Sequence, residues 1–400
     1  MSALISSEQQ HQQCLHILRQ ITDRIDSELL SVRNWGLCGG VAGLILFLVE
    51  MEANYPNTLG MDKIESLIDA LQSNCDLKTL PPRLDMGLLG IAWLREHLQQ
   101  RFGDDDDVNA DIDQLILNAL SVDTWSGEYE LLAGLAGFGL YASKRSGYDS
   151  GKRMIEKVVQ HLQSLMVETP QGLAWPSAPT SAYHSDGNSE QVEFNLGLAH
   201  GNASVLGCLT HIYRCQPTLE HERLLRGSAD WLLAQRNPAD TGSYFSYNNR
   251  RVMRSRIGWC YGDIGNALVL WRAGKALEDQ RIQNAAKDIA VACTTRRDFK
   301  LTSCYDAGIC HGSAGNMLIF QTLHDEMQHP ALLDYAQFWL QQTFDYAQKE
   351  PNLDGLRRFD GEADEYQDCP GMLEGLAGVG LCLLAAVGHD SSWKESLLLE

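Results

Sequence analysis

The alternation of apolar and polar residues along the chain has two textures. Some segments are apolar almost throughout, such as VAGLILFLVE from Val41, GLLGIAWLREHL from Gly87 and LAGVGLCLLAA from Leu376. A helix that is apolar on every side belongs in an interior, so these segments predict inner helices. Others place apolar residues three and four apart, as Leu18, Ile21, Ile25 and Leu29, or Ile155, Val158, Val159 and Leu162. That spacing gives one buried stripe on a solvated helix and predicts outer helices.

Each inner segment opens on a Gly-x-x-Gly pair: Gly40/Gly43, Gly87/Gly90, Gly134/Gly137, Gly262/Gly265, Gly312/Gly315 and Gly375/Gly378. A seventh copy starts at Gly201, where Ser204 replaces the second glycine in LAHGNASVLGCL. The first glycines are 47, 47, 67, 61, 50 and 63 residues apart, a period characteristic of helical repeats. One outer and one inner helix per repeat predicts an all-α chain of about fourteen helices. Seven such hairpins can close into an α/α toroid, expected to occupy residues 1–400 as a single domain. The glycines are read as packing residues at tight turns between crowded helices. Three longer intervals carry polar, aromatic inserts, Pro170 to Glu193, Asn237 to Arg256 and Asn352 to Asp368. These predict short hairpins or lids on the rim where the inner helices begin.

If the glycine pair is scaffold, chemistry is expected where unusual residues stand just before it. The residues preceding the first glycine are Gly39, Met86, Ala133, His200, Tyr261, His311 and Glu374, and one step further back stand Cys260 and Cys310 in the fifth and sixth repeats. Two cysteines in the same frame of consecutive repeats, with His311 beside one of them, are hard to explain by packing. Two thiolates and one imidazole converging at helix N-termini would form a three-ligand site with its fourth tetrahedral position open, as catalytic zinc requires. Cys304 is the rival ligand, although it matches no repeat position. His200, in the same frame, reads as a fourth ligand, an acid/base or a helix cap, with acid/base favoured because a fourth protein ligand would close the site. Tyr261 reads as a hydrogen-bond donor or an aromatic wall, and Arg256 as an anion binder or a surface ion-pair partner.

Composition narrows the possibilities. The chain is 44% hydrophobic and 21% charged, which suits a folded globular protein, and its formal net charge is -20. With no Lys/Arg-rich block, it is not expected to bind nucleic acid, whose phosphates need a basic surface; a cationic or neutral partner is favoured. The start, MSALISSEQQ, lacks the regions of a secretory signal, and no apolar run is long enough to span a bilayer, so no transmembrane segment and a cytoplasmic location are expected. The eleven cysteines are scattered rather than arranged as a disulfide framework, so most are expected to be reduced core residues.

The elements LAHG around His200, RIGWCYG from Arg256 to Gly262, CHGSAG from Cys310 to Gly315 and LEGLAG from Leu373 to Gly378 resemble those of the lanthionine synthetase C family, the cyclases of lanthipeptide biosynthesis. The resemblance implies an α/α toroid with zinc held by Cys260, Cys310 and His311. It also implies a dehydrated precursor peptide as substrate, and association with a dehydratase and an export transporter at the inner membrane face. The family reaction adds a peptide cysteine thiol to dehydroalanine or dehydrobutyrine. The family's catalytic histidine and acidic partner map to His200 and to Glu130 in YELLAG, where the family pattern carries aspartate. Arg256 and Tyr261 are then expected to bind the peptide or the enolate oxygen. Two alternatives are a prenyltransferase-type toroid, whose usual zinc set includes an aspartate, and a non-catalytic zinc- or glutathione-binding scaffold.

Overall fold

The computed structural model describes residues 3–29, 32–103, 106–177 and 192–400. Among them are fourteen α-helices longer than one turn: α1 (Glu8–Glu28), α2 (Val41–Asn54), α3 (Met61–Asn74), α4 (Leu88–Phe102), α5 (Ala110–Leu120), α6 (Leu135–Lys144), α7 (Asp149–Leu165), α8 (Asn202–Cys215), α9 (Leu219–Ala234), α10 (Asp263–Ala276) and α11 (Gln280–Cys293), then, after the single turn α12 (Phe299–Thr302), α13 (Ser313–Met327), α14 (Pro330–Lys349) and α15 (Leu376–Val387). The two textures of the sequence separate cleanly. In α2 every residue from Val41 to Glu52 is buried, whereas α7 buries only one stripe, including Met154, Ile155, Val158, Val159 and Leu162.

The helix starts differ only in part. Three outer helices are capped by side chains, Ser7 accepting from the Gln10 amide, Thr218 from His221, and Asp279 from Arg281 and Ile282, while α3, α5, α7 and α14 have no side-chain cap. Inner helices α2, α6, α8, α13 and α15 begin after a glycine with no side-chain cap. Their chain entry is fixed instead by a closed backbone turn. In six of the seven repeats the amide just after the first glycine donates to the carbonyl seven residues earlier, as Val41 to Asn34, Asn202 to Asn195 and Ser313 to Asp306, at 2.8 to 2.9 Å in these three. A side chain on the second glycine would collide with this turn. At Gly378 a Cβ would lie 1.8 Å from the Met372 carbonyl oxygen. Ser204, the exception, donates its hydroxyl to the Gly201 carbonyl at 2.6 Å.

The chain packs as two compact units, residues 1–81, 85–94 and 296–393 in one, and residues 82–84, 95–295 and 394–400 in the other. In the first, α2 pairs with α3, α13 with α14, and α15 packs on α13, α2 and α1. In the second, α6 pairs with α7, α8 with α9 and α10 with α11, while α6, α8 and α10 line up side by side. The repeat is therefore an inner helix followed by its outer partner, and α15 finds its partner in α1 at the opposite end of the sequence.

Two of the three inserts contain the hairpins expected. Strands β1 (Val167–Thr169) and β2 (Gly172–Ala174) pair antiparallel at the first, and β3 (Arg358–Asp360) and β4 (Glu365–Gln367) at the third. The part of the first insert from Pro179 to Gln191, together with Ala178, lies outside the described residues. The second insert is not the hairpin alternative: among the described residues it forms no strand ladder, only a single bridge from Asn248 to Asn195. The buried Asp263 carboxylate at the start of α10 accepts the amides of Tyr244 and Phe245 at 3.0 and 2.9 Å, and so holds this loop without a ladder.

Among the described residues, no helix is long and apolar enough to cross a membrane. 

Candidate functional site

The seven turns that precede the inner helices are one structural motif, numbered 1 to 7 in chain order. Three residues before the first glycine stand Leu37, Leu84, Leu131, Leu198, Trp259, Ile309 and Met372, all fully buried. These anchors fix the turn against the core. The candidate chemical side chains stand at the two residues nearest the glycine.

Successive turns are stitched through the residue two before the first glycine. In one unit the Cys310 amide donates to Leu373, the Leu373 amide to Cys38 and the Cys38 amide to Asp85, at 2.8 to 2.9 Å. In the other, the Ala199 amide donates to the Cys260 carbonyl at 3.2 Å. Both candidate ligand cysteines thus have their backbone pinned by a neighbouring turn. Cys260 is 5% exposed and Cys310 9%.

Turn 5 is entered unlike the others. Gly262 has φ of 108°, a left-handed conformation that side-chain-bearing residues avoid, and a Cβ there would also sit 2.1 Å from the Arg256 carbonyl oxygen. Arg256 is half-buried at the start of this turn, and its amide donates to the Tyr247 hydroxyl at 3.2 Å.

Cys260, Cys310 and His311 form a group whose ligand atoms all lie within 4.8 Å of one another. A tetrahedral zinc with this donor set, at about 2.3 Å to sulfur and 2.0–2.1 Å to nitrogen, spaces its ligands roughly 3.6–3.8 Å apart. The residues fit such an ion. The rival Cys304 is fully buried, its thiol directed to the Asp306 carbonyl at 3.6 Å, and it is not part of the group. No carboxylate belongs to the group either, unlike the zinc set of the prenyltransferase alternative.

The acid-base candidates meet in turns 3 and 4. Glu130 is 1% exposed, and its carboxylate accepts the amides of Leu132 and Ala133 at 2.8 and 2.7 Å. The same carboxylate lies 3.1 Å from Nδ1 of His200. An ionised carboxylate only accepts, so Nδ1 carries the hydrogen of this contact.

This contact follows from the scaffold. The residue four before the first glycine is Gly36, Gly197, Gly258, Gly308 and Gly371 in five of the turns. A Cβ at Gly36 would meet Met86, one at Gly308 would meet Glu374, one at Gly371 would meet Gly39, and one at Gly197 would meet Tyr261. In each case the neighbour is the residue just before the next turn's glycine. Turn 3 has Glu130 at this place, so its side chain enters the same contact and meets His200.

Tyr261 is held by groups that sequence reasoning did not single out. Its hydroxyl accepts from Asn195 Nδ2 at 2.9 Å, and its ring lies edge-on to Tyr247 at 5.4 Å and 6.4 Å from the His200 ring. Asn195 had a signal available, since it stands at the same frame position as Asn34 and Asp306, six before the glycine. Tyr247 had none, because the insert that carries it has no repeat.

Among solved structures the chain is similar to nisin cyclase, with a TM-score of 0.72 at 18% identity over 96% of this chain and 96% of that one. A sugar epimerase from a ruminal bacterium is a more distant likeness, with a TM-score of 0.50 at 11% identity over 76% of this chain and 87% of that one. The fold is the α/α toroid. The family model for lanthionine synthetase C-like proteins matches residues 31–398, and the chain belongs to that family.

Proposed function

We propose that this protein is a zinc-dependent lanthipeptide cyclase, which joins a peptide cysteine to a dehydroalanine or dehydrobutyrine of the same peptide. The observation that carries the reading is the grouping of Cys260, Cys310 and His311 within 4.8 Å, together with the Glu130–His200 pair at 3.1 Å. A scaffold needs neither. A zinc ion bound to the three ligands would lower the pKa of an incoming thiol and fix the position of its sulfur.

The reaction forms one carbon–sulfur bond. The thiol loses its proton, sulfur adds to the β-carbon of the alkene, and the π pair moves toward the carbonyl oxygen as an enolate. The α-carbon then takes up a proton, so atoms and charge balance with no other reactant. In this reading His200, oriented by Glu130 through Nδ1, moves the proton at Nε2, a role worth about 10²–10⁴ in rate. Arg256 and Tyr261 bind the peptide and face the oxygen on which charge develops. The substrate's alkenes come from dehydrated serine or threonine, so a dehydratase supplies the peptide, and a transporter exports the cyclised product.

The test is incubation of the protein with a dehydrated precursor peptide. Loss of free thiol is followed by mass spectrometry after alkylation, and metal content is measured in parallel. Cys310→Ala is expected to lose zinc and cyclisation together. Full cyclisation by a metal-free Cys310→Ala protein would overturn the metal role.

A further inference from the structure

Asn195 is 2% exposed, and both polar atoms of its side chain and its backbone carbonyl have partners. Its Oδ1 accepts the Gly197 amide at 2.8 Å, closing a side-chain turn. Its backbone carbonyl accepts from the Asn202 amide at 2.9 Å and from Asn202 Nδ2 at 3.0 Å. A backbone N–H can only donate, so the atom facing Gly197 is oxygen and the remaining amide atom is nitrogen. That nitrogen lies 2.9 Å from the Tyr261 hydroxyl. The phenol oxygen therefore accepts from Asn195, and its own hydrogen points to another acceptor.

The ring is held as firmly as the hydroxyl. Gly197 lies so close beneath it that a Cβ would fall 2.6 Å from Tyr261 Cε1 and 2.8 Å from the Cys260 carbonyl oxygen. Tyr247 packs edge-on against another side at 5.4 Å. Asn195 and Gly197, two residues apart in one turn, thus set both the direction and the height of the phenol of the next.

We propose that Asn195 is a positioning residue that fixes Tyr261 as a hydrogen-bond donor toward the oxygen of the reacting peptide, by occupying the phenol's acceptor side. The inference rests on the cyclase reading above and assigns a polarity within that site. Tyr261 does not transfer its hydrogen; it stabilises charge that is present only after sulfur has added.

The other turns supply the means to test it. Asp306 stands at the corresponding position of turn 6, and its Oδ1 accepts the Gly308 amide at 3.1 Å, as Asn34 accepts the Gly36 amide at 2.8 Å in turn 1. A carboxylate therefore closes this turn as an amide does. Asn195→Asp keeps the turn and reverses one hydrogen bond, because a carboxylate accepts the phenol hydrogen and withdraws it from the peptide.

The experiment measures kcat and KM of the full chain on a synthetic peptide with one cysteine and one dehydroalanine. It compares wild type, Asn195→Asp, Tyr261→Phe and the double variant, with zinc content and thermal melting recorded for each. Asn195→Asp is expected to lower kcat about 100-fold, with KM within about twofold, zinc content unchanged, and no further loss in the Tyr261→Phe background. Asn195→Ser, which keeps an acceptor for Gly197 and removes the donor, provides a second reading if the aspartate variant melts early; a smaller kcat loss, again absent in the Tyr261→Phe background, is expected. If wild type cyclises the peptide and both variants at 195 match its kcat, or their losses multiply with that of Tyr261→Phe, the inference is wrong and the cyclase reading stands. If wild type leaves the peptide uncyclised, the cyclase reading fails and takes the inference with it.

Discussion

Two contacts in the same unit are built on one plan and differ in a single residue. Where turn 3 meets turn 4, Glu130 reaches His200; where turn 4 meets turn 5, Gly197 lies bare beneath Tyr261. In both, the residue four before one glycine touches the residue just before the next. A glycine there lets an aromatic ring settle onto backbone, and a glutamate there places a carboxylate against an imidazole. The scaffold decides which positions meet, and the residue at one position decides whether the meeting is packing or chemistry.

The sharpest way to break this comparison is to remove the carboxylate. Glu130→Ala leaves His200 Nδ1 and the amides of Leu132 and Ala133 without their acceptor. A fall in kcat of about 10²–10⁴ is expected, measured on a dehydrated peptide, with a stability loss of about 1–3 kcal/mol by denaturant melting. Glu130→Asp keeps the carboxylate one methylene shorter, and is expected to recover most of the rate if orientation of His200 is the role. An aspartate variant no more active than the alanine one would show that the longer reach is itself required.

A smaller effect is expected from putting a side chain into the second contact. Gly197→Ala forces Tyr261 and the Cys260 carbonyl to move, which typically costs about 1–3 kcal/mol of stability. Because Cys260 is a candidate ligand, zinc content by elemental analysis should fall along with the rate. An intact metal content with normal kcat/KM would mean that the ring and cysteine accommodate the methyl group without consequence.

The smallest effect on catalysis is expected in turn 1, where the same contact carries no chemistry. A Cβ on Gly36 would lie 2.3 Å from Met86 Cα and 2.4 Å from the Asp85 carbonyl. Gly36→Ala should therefore lower stability by a similar amount, while cyclisation per folded molecule stays at the wild-type level. A selective loss of kcat in that variant would break the distinction between scaffold and chemical turns.

Much of this was readable from residues alone. The apolar and amphipathic textures located fourteen helices, because a helix records its surroundings in its own periodicity. Aligning the repeats on the first glycine brought Cys260, Cys310, His311, His200 and Tyr261 into one frame. Glu130 came only from family resemblance, although it replaces a glycine that five other turns keep. Asn195 stands six residues before its glycine, in frame with Asn34 and Asp306, and an asparagine there carries no mark of the tyrosine it meets. The loop holding Tyr247, for which the sequence leaves a short hairpin or a lid open, forms no ladder and is pinned by Asp263, whose carboxylate holds amides 18 and 19 residues back.

The sequence by itself determined the helices, the turns between them and which residue types stand at each turn, since hydrogen bonds and apolar stripes of this kind close within a few residues. Only the tertiary structure decided that position four before one glycine touches the residue before the next. Glu130 and His200 are 70 residues apart and Asn195 and Tyr261 are 66 apart. Across such separations the partner is chosen by how neighbouring turns stack, which depends on packed backbone registers that no local pattern encodes.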